Sequence, residues 1–122
     1  MSKNERPLLW IASSYNDFMQ FPPQVIDDMG YAPGLAQEGG ISANAKPWKG
    51  EGGGVFEIAE PFEGNAWRTV YAVRFARAVY VLHCFQKKSP SGVRTAQTDV
   101  ELIHKRLTTA QKDYEARYGK DK

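Results

Sequence analysis

Arg68 and Arg74 stand six residues apart in "AWRTVYAVRF", and Lys87 and Lys88 adjoin at the end of "VYVLHCFQKK". An even spacing places both arginines on one side of an extended strand. If the two segments pair antiparallel, the end of the second lies beside the start of the first. Lys87 or Lys88 then comes near Arg68. Lys46 and Lys49 arrive from a glycine-rich loop upstream, and Glu57, on the same side as Val55, is placed on Arg68's face by an inferred register. Cations gathered round one carboxylate suit a phosphodiester backbone, because a guanidinium contacts two phosphate oxygens at once. A mid-strand arginine is expensive to bury unpaired, so this face is expected to be open to water or to a ligand.

The elements that must position these side chains are readable in outline. "PLLWIASS" (7–14) reads as a first strand. Ser14 is placed to start a helical turn, and Pro22-Pro23 to start a second helix. Val25, Ile26, Met29 and Leu35 would be the buried side of that helix, which Pro33-Gly34 should kink or split. Residues 39–54 hold six glycines and read as loop, without the strand that a phosphate-binding or dinucleotide motif needs before it. Three strands follow. In "VFEIAE" (55–60), Phe56 and Ile58 oppose Val55, Glu57 and Ala59. In 66–75, Trp67, Thr69, Tyr71, Val73 and Phe75 oppose Arg68, Val70, Ala72 and Arg74. "AVYVLHCFQ" (78–86) is apolar on both faces, as a covered central strand is. Glu63-Gly64-Asn65 and Ala76-Arg77 are the predicted turns, and the flanking helices are expected to cover the aromatic face. The last helix carries the stripe Val100, Ile103, Leu107, Ala110 and Tyr114, with Thr95 or Thr98 as cap and Thr98–Glu101 as a capping box. Lys105, Arg106, Lys112 and Arg117 lie off the stripe and read as a solvated face.

Composition sets bounds. A chain of 122 residues, 42% hydrophobic and 25% charged, is expected to form one domain over 1–122 with a single modest core. One cysteine, Cys84, excludes an internal disulfide and a cysteine-based metal site within one chain; mid-strand among apolar residues, it reads as a buried thiol. No segment approaches the ~20 apolar residues of a membrane span, and the N-terminal apolar run is too short for a secretory signal, so a cytoplasmic setting without membrane contact is expected. Charge is divided. Residues 1–63 hold four lysines and arginines against nine carboxylates, a net of −5; residues 64–122 hold twelve against five, a net of +7. That division fits a basic face for a polyanion, or an uneven surface with no partner.

The ordered set "AKPWKGEGGGVFEIAE…WRTVYAVRFARAVYVLHCFQKKSPSG" resembles the phage-related branch of the RelE/HigB toxin superfamily, over roughly residues 7–118. The resemblance implies an α+β, RelE-like fold with two N-terminal helices, an antiparallel sheet of about four strands and a C-terminal helix. It implies the toxin of a type II toxin–antitoxin system, with a helix-turn-helix (HigA-like) antitoxin as partner. Its activity would be cleavage of messenger RNA on the ribosome. By resemblance Arg68 holds the superfamily's arginine position, Lys87 or Lys88 matches the basic residue ending the next strand, and Glu57 falls where members carry a lysine or a carboxylate. The chain departs from the pattern at Pro33-Gly34, which interrupts the second helix, and in "KKSPSGVRT", which lacks the tyrosine or histidine that some members carry after the sheet.

RNA cleavage of this kind needs no cofactor or metal, because the neighbouring 2′-hydroxyl is the nucleophile. The protein aligns it, takes its proton, stabilises the phosphorane and helps the 5′-oxygen leave. Arg68 is assigned to the developing charge, Lys87 to charge or leaving-group protonation, and Glu57 to the base; Lys46, Lys49, Arg74 and Lys88 would grip RNA. Other readings accompany each assignment. Arg68 and Glu57 pair for solubility, or Lys87-Lys88 protect a sheet edge. His83, with Val81 and Phe85 on its face, reads as a hydrogen-bonded core histidine rather than a base, and Trp48 either stacks on a base or packs the loop. A non-catalytic RNA- or protein-binding module of the same fold is the alternative function, and complex formation with an antitoxin and its operator a third.

Overall fold

The computed structural model describes residues 6–87 and 96–120. In chain order the elements are β1 (Leu8–Trp10), α1 (Ser14–Met19), α2 (Pro23–Met29), α3 (Tyr31–Gln37), β2 (Lys46–Pro47), β3 (Val55–Phe62), β4 (Asn65–Ala72), β5 (Val79–Lys87) and α4 (Gln97–Tyr118). The fold is α+β. One five-stranded sheet has the order β1-β5-β4-β3-β2, antiparallel except where β1 runs parallel to β5. The sheet exceeds the expected count by the two-residue β2, too short for any periodicity to announce.

The helical cover differs from expectation for physical reasons. Among the described residues the N-terminal helices number three, because the chain breaks at Gly30 between α2 and α3. Pro33 has no N–H and its ring clashes with the carbonyl four residues back, so a continuous helix is excluded; as the third residue of α3 it needs no intrahelical partner. The break resets the helical phase. Val25 and Met29 are buried as read from the sequence, but in α3 Ala32, Pro33 and Ala36 turn inward and Leu35 is exposed, against expectation. α4 buries Ile103, Leu107, Ala110 and Tyr114 as its stripe predicts. Its N-cap is Ala96 with no side-chain cap, so the Thr98–Glu101 box is not formed; Thr95 lies outside the described residues.

Both faces of the sheet are packed. Phe18, Phe21, Val25, Met29 and Ala32 from the N-terminal helices cover Ile58, Tyr71, Val79, Val81 and Cys84. Ile103, Leu107, Ala110 and Tyr114 of α4 cover Val70, Ala72, Tyr80, Leu82 and Phe85 on the opposite face. The arginine face is therefore half covered, not open along its length. Burial at this scale contributes about 25 cal/mol per Å² of apolar surface, which makes the two layers the main source of stability. Glu63 and Gly64, both at positive φ, form the two-residue turn between β3 and β4 at the predicted place; that conformation matches the right-handed strand twist.

β4 ends at Ala72, three residues short of the predicted Phe75. Arg6, which nothing in the sequence marks, holds the chain where it leaves the sheet. Its Nη1 donates to Val73 O at 3.2 Å and Phe75 O at 2.5 Å, and its Nη2 donates to Ala36 O at 2.7 Å. Phe75 consequently joins the α4 core instead of the aromatic face.

Candidate functional site

Register decides which charges meet. Lys46 of β2 lies opposite Glu57 of β3; Glu57 lies opposite Val70, and Ala59 opposite Arg68 of β4; Arg68 lies opposite Phe85, and Ala66 opposite Lys87 of β5. Residues directly opposite in a ladder share a face, so Lys46, Glu57, Arg68 and Lys87 all stand on the α4 side. α4 packs along β5 and leaves the other flank of that face uncovered. There Lys46, Glu57, Ala59 and Arg68, with Ala43 and Asn44, line a cleft of about 330 Å³. The sequence expectation that Glu57 shares Arg68's face and that Lys87 or Lys88 comes near Arg68 holds for Glu57 and for Lys87, although Lys87 does not line the cleft.

Arg68 and Glu57 form an ion pair across β3 and β4, with Arg68 Nη1 donating to Glu57 Oε2. Their side chains are only 20% and 14% exposed, so the pair is held in a largely desolvated setting. Arg68 Nε–H is buried with no partner among the described residues. Burial moves the Arg68 pKa down, which leaves it a cation at any ordinary pH. Lys87 is also shifted down, first by desolvation and then by the positive charge of Arg68. Its proton leaves more readily than that of a free lysine.

The remaining basic candidates divide. Lys46 is exposed at the cleft wall. Lys49 is exposed in the turn after β2 and does not line the cleft. Arg74 is a correction: beyond the far end of β4, it does not share Arg68's site. Its Nη2 donates to Glu51 O, and it borders a separate hollow with Gln111, Tyr114 and Lys120. Lys88 lies outside the described residues.

The glycine loop is pinned by the C-terminal helix. Glu51, 8% exposed, accepts from His104 Nδ1 of α4 at 2.9 Å. Gly54, at φ 79°, leaves no room beside Arg74, whose Cβ would lie 2.6 Å from an added Cβ. Only glycine takes that φ freely while letting the two chains approach. Trp48 packs against the α4 core, which favours packing over stacking in the free protein.

His83 is a core histidine, as read. Its Nε2 lies 2.8 Å from Asp99 Oδ1, and its Nδ1 accepts from Arg106 Nη1 at 3.3 Å. Its face differs from the prediction, because the β4–β5 register shifts between Val70 and Tyr71. That bulge puts both Leu82 and His83 on the α4 side and Val81 on the other. Arg106 is not solvated as expected; it also donates to Leu82 O and Ser13 Oγ, binding α4 to the sheet. His83 stacks on Phe85, ring centroids 4.6 Å apart, and Phe85 is the residue opposite Arg68. The Arg68 strand position thus rests on a fixed aromatic base.

A contributor that sequence reasoning passed over is Asn44, a cleft residue set by Tyr31 and Ser42. No sequence signal marks it. The contact is tertiary and spans thirteen residues.

Among the described residues no helix is long and apolar enough to cross a membrane. The family model described as phage-derived protein Gp49-like (DUF891) matches residues 16–108. No curated protein and no solved structure matches the chain.

Proposed function

The chain belongs to the Gp49-like family of phage-derived proteins, and from that premise we propose that it is a toxin that cuts messenger RNA. In this reading it is the RelE/HigB-like toxin of a type II pair, restrained by a helix-turn-helix antitoxin and acting on the ribosome. The observation that carries the reading is the set Lys46, Glu57, Arg68 and Lys87 on one sheet face, with Glu57 paired to Arg68 at an open cleft.

The placement supports the following chemistry. RNA enters the cleft with a phosphodiester drawn by Lys46, Arg68 and Lys87. The 2′-oxygen attacks phosphorus in line, and its proton passes to the Glu57 carboxylate. Among the described residues only Arg68 bonds that carboxylate, and through one oxygen, which leaves Oε1 for the incoming hydroxyl. Arg68 stabilises the extra negative charge of the phosphorane through two N–H donors. The bond from phosphorus to the 5′-oxygen breaks, and Lys87 gives that oxygen a proton. The products are a 2′,3′-cyclic phosphate and a 5′-hydroxyl. Burial and the nearby Arg68 charge favour proton release from Lys87, as a leaving-group acid requires. Rigid strands, not loops, carry all three groups, which suits a reaction that fails with small misplacement.

The Arg68–Glu57 pairing also favours a second reading, a non-catalytic module that grips RNA or a protein through Lys46 and Lys87 while Arg68 stays neutralised. Induced expression in bacteria separates the two. Cleavage predicts growth arrest and new message ends by primer extension, both lost in Arg68→Ala and Lys87→Ala while soluble protein persists. Full growth and intact messages with soluble wild type overturn the nuclease reading in favour of the module.

A further inference from the structure

The five large apolar side chains that stand exposed among the described residues all belong to the N-terminal helical layer and the loop that leaves it. Tyr15 and Met19 lie one turn apart on α1, Tyr31 and Leu35 one turn apart on α3, and Ile41 just beyond. Single exposed hydrophobes are ordinary on a protein surface, but contiguous ones mark a contact. Those of α3 are contiguous. Gly40 N–H donates to Leu35 O at 2.8 Å, and Gly40 lies against the Leu35 side chain, whose Cδ2 would be 3.8 Å from an added Cβ. That return brings Ile41, 56% exposed, back toward Leu35, 38% exposed. Gly34, between Tyr31 and Leu35 in the sequence of α3, leaves a notch: an added Cβ there would meet nothing. Tyr31 is fixed from behind, because Ser42 Oγ and Asn44 Nδ2 both donate to its Oη, at 3.2 and 2.8 Å. An aromatic ring already held in place loses little freedom when a partner covers it.

The charge of this layer selects the partner. Residues 7–45 hold Asp17, Asp27, Asp28 and Glu38 and no lysine or arginine. Glu60, on the helix side of β3, adds a fifth carboxylate, held above the usual range first by burial and then by Asp28. Among the described residues none of the five forms an ion pair. Arg6, the cation that reaches α3, is taken up by the carbonyls of Ala36, Val73 and Phe75. Glu38, exposed at the end of α3 three residues after Leu35, borders the apolar patch. Negative charge repels RNA, an anionic lipid surface and a second copy docked through the same face. A cationic segment with apolar anchors satisfies both the patch and its charge.

We infer that the outward face of α3, with Tyr31, Leu35 and Ile41 as its apolar centre and Glu38 at its rim, is the docking surface for a basic amphipathic helix of another protein. The helix lays its apolar side chains on Tyr31, Leu35 and Ile41 beside the Gly34 notch, and its lysines or arginines face Glu38. None of these residues belongs to the cation–carboxylate cleft, so the role of the surface stands whether or not the cleft cuts RNA.

The test uses the full chain and a fluorescent peptide of leucine and lysine, about 18 residues long and patterned as an amphipathic helix. Two control peptides carry glutamate for every lysine or glutamine for every leucine. Fluorescence anisotropy reads affinity, thermal melting checks the fold of each variant, and sedimentation reads the oligomeric state. Wild type is expected to bind the leucine–lysine peptide at least about tenfold more tightly than either control, the worth of one well-buried side chain. Leu35→Gln with Ile41→Ser, both at exposed positions, should weaken binding about tenfold. Glu38→Gln should weaken it about twofold and make its salt dependence shallower. Equal binding of the three peptides, no binding, or unchanged affinity in the folded double variant overturns the docking surface. Wild-type dimers that the double variant dissociates overturn the basic partner and assign the face to a second copy. Flotation of wild type, but not of the double variant, with phosphatidylcholine vesicles overturns it in favour of a lipid surface.

Discussion

Removing either partner of the Arg68–Glu57 pair should destabilise the fold, and removing both should not destabilise it twice. Exposed ion pairs are worth about 0.2–1 kcal/mol, whereas truncating one partner of a buried pair costs about 3–5 kcal/mol. With about four-fifths or more of each side chain buried, this pair lies between those limits. Glu57→Ala strands a guanidinium whose Nε already has no partner among the described residues, and Arg68→Ala strands a carboxylate in the same cleft. Each single variant is expected to lose about 2 kcal/mol, or roughly 8 °C in Tm for a domain of this size. The double variant should lose little more than either single, giving a coupling energy of about 1.5–2 kcal/mol. Urea titration of the four proteins, followed by circular dichroism, measures it. Losses that simply add, with coupling under about 0.5 kcal/mol, would refute the claim that the two residues form one desolvated unit.

Three further outcomes concern His83, Gly54 and Asp113. Asp99→Ala removes the partner of His83 Nε2 and should cost about 1–3 kcal/mol by leaving a buried imidazole group unsatisfied; chemical denaturation reads it. Gly54→Ala should cost about 2 kcal/mol or more, since it combines an unfavourable positive φ with a clash against Arg74, and hydrogen exchange should rise first in residues 49–54. Asp113 is held below the usual carboxylate range, first by the hydrogen bond from Tyr80 and then by Arg117. A depressed carboxyl contributes stability above its unfolded value near 4 and loses it as pH falls through the lower folded value. Tm should therefore drop below about pH 4, and Asp113→Asn should flatten that limb.

What the sequence made legible was parity. Glu57 and Arg68 share a face because each lies an even step from an inward apolar neighbour, Val55 and Val70, and because the β3–β4 turn forms where glutamate, glycine and asparagine adjoin. Lys87 followed from the same pairing. Parity failed wherever the backbone left the regular ladder. Arg74 was read six residues along an unbroken strand, but Arg6 takes the carbonyls of Val73 and Phe75 and the strand stops at Ala72. His83 changed neighbours because one extra residue bulges from β5. Leu35 turned outward because the helix restarts after Gly30 in a new phase. The Arg74 miss is a long-range contact overruling a local pattern, and the Ser42–Asn44–Tyr31 network is of the same kind: its members are ordinary polar residues until α3 brings them together.

The proposed activity is RNA breakage at the cation–carboxylate cleft by 2′-hydroxyl attack. The most direct measurement is to incubate the purified full chain with a ribosome-bound message and identify the new ends chemically. Wild type is expected to leave a 2′,3′-cyclic phosphate on the upstream fragment and a 5′-hydroxyl on the downstream one, and folded Arg68→Ala neither. Intact message with folded wild type, or equal cleavage by Arg68→Ala, would contradict it.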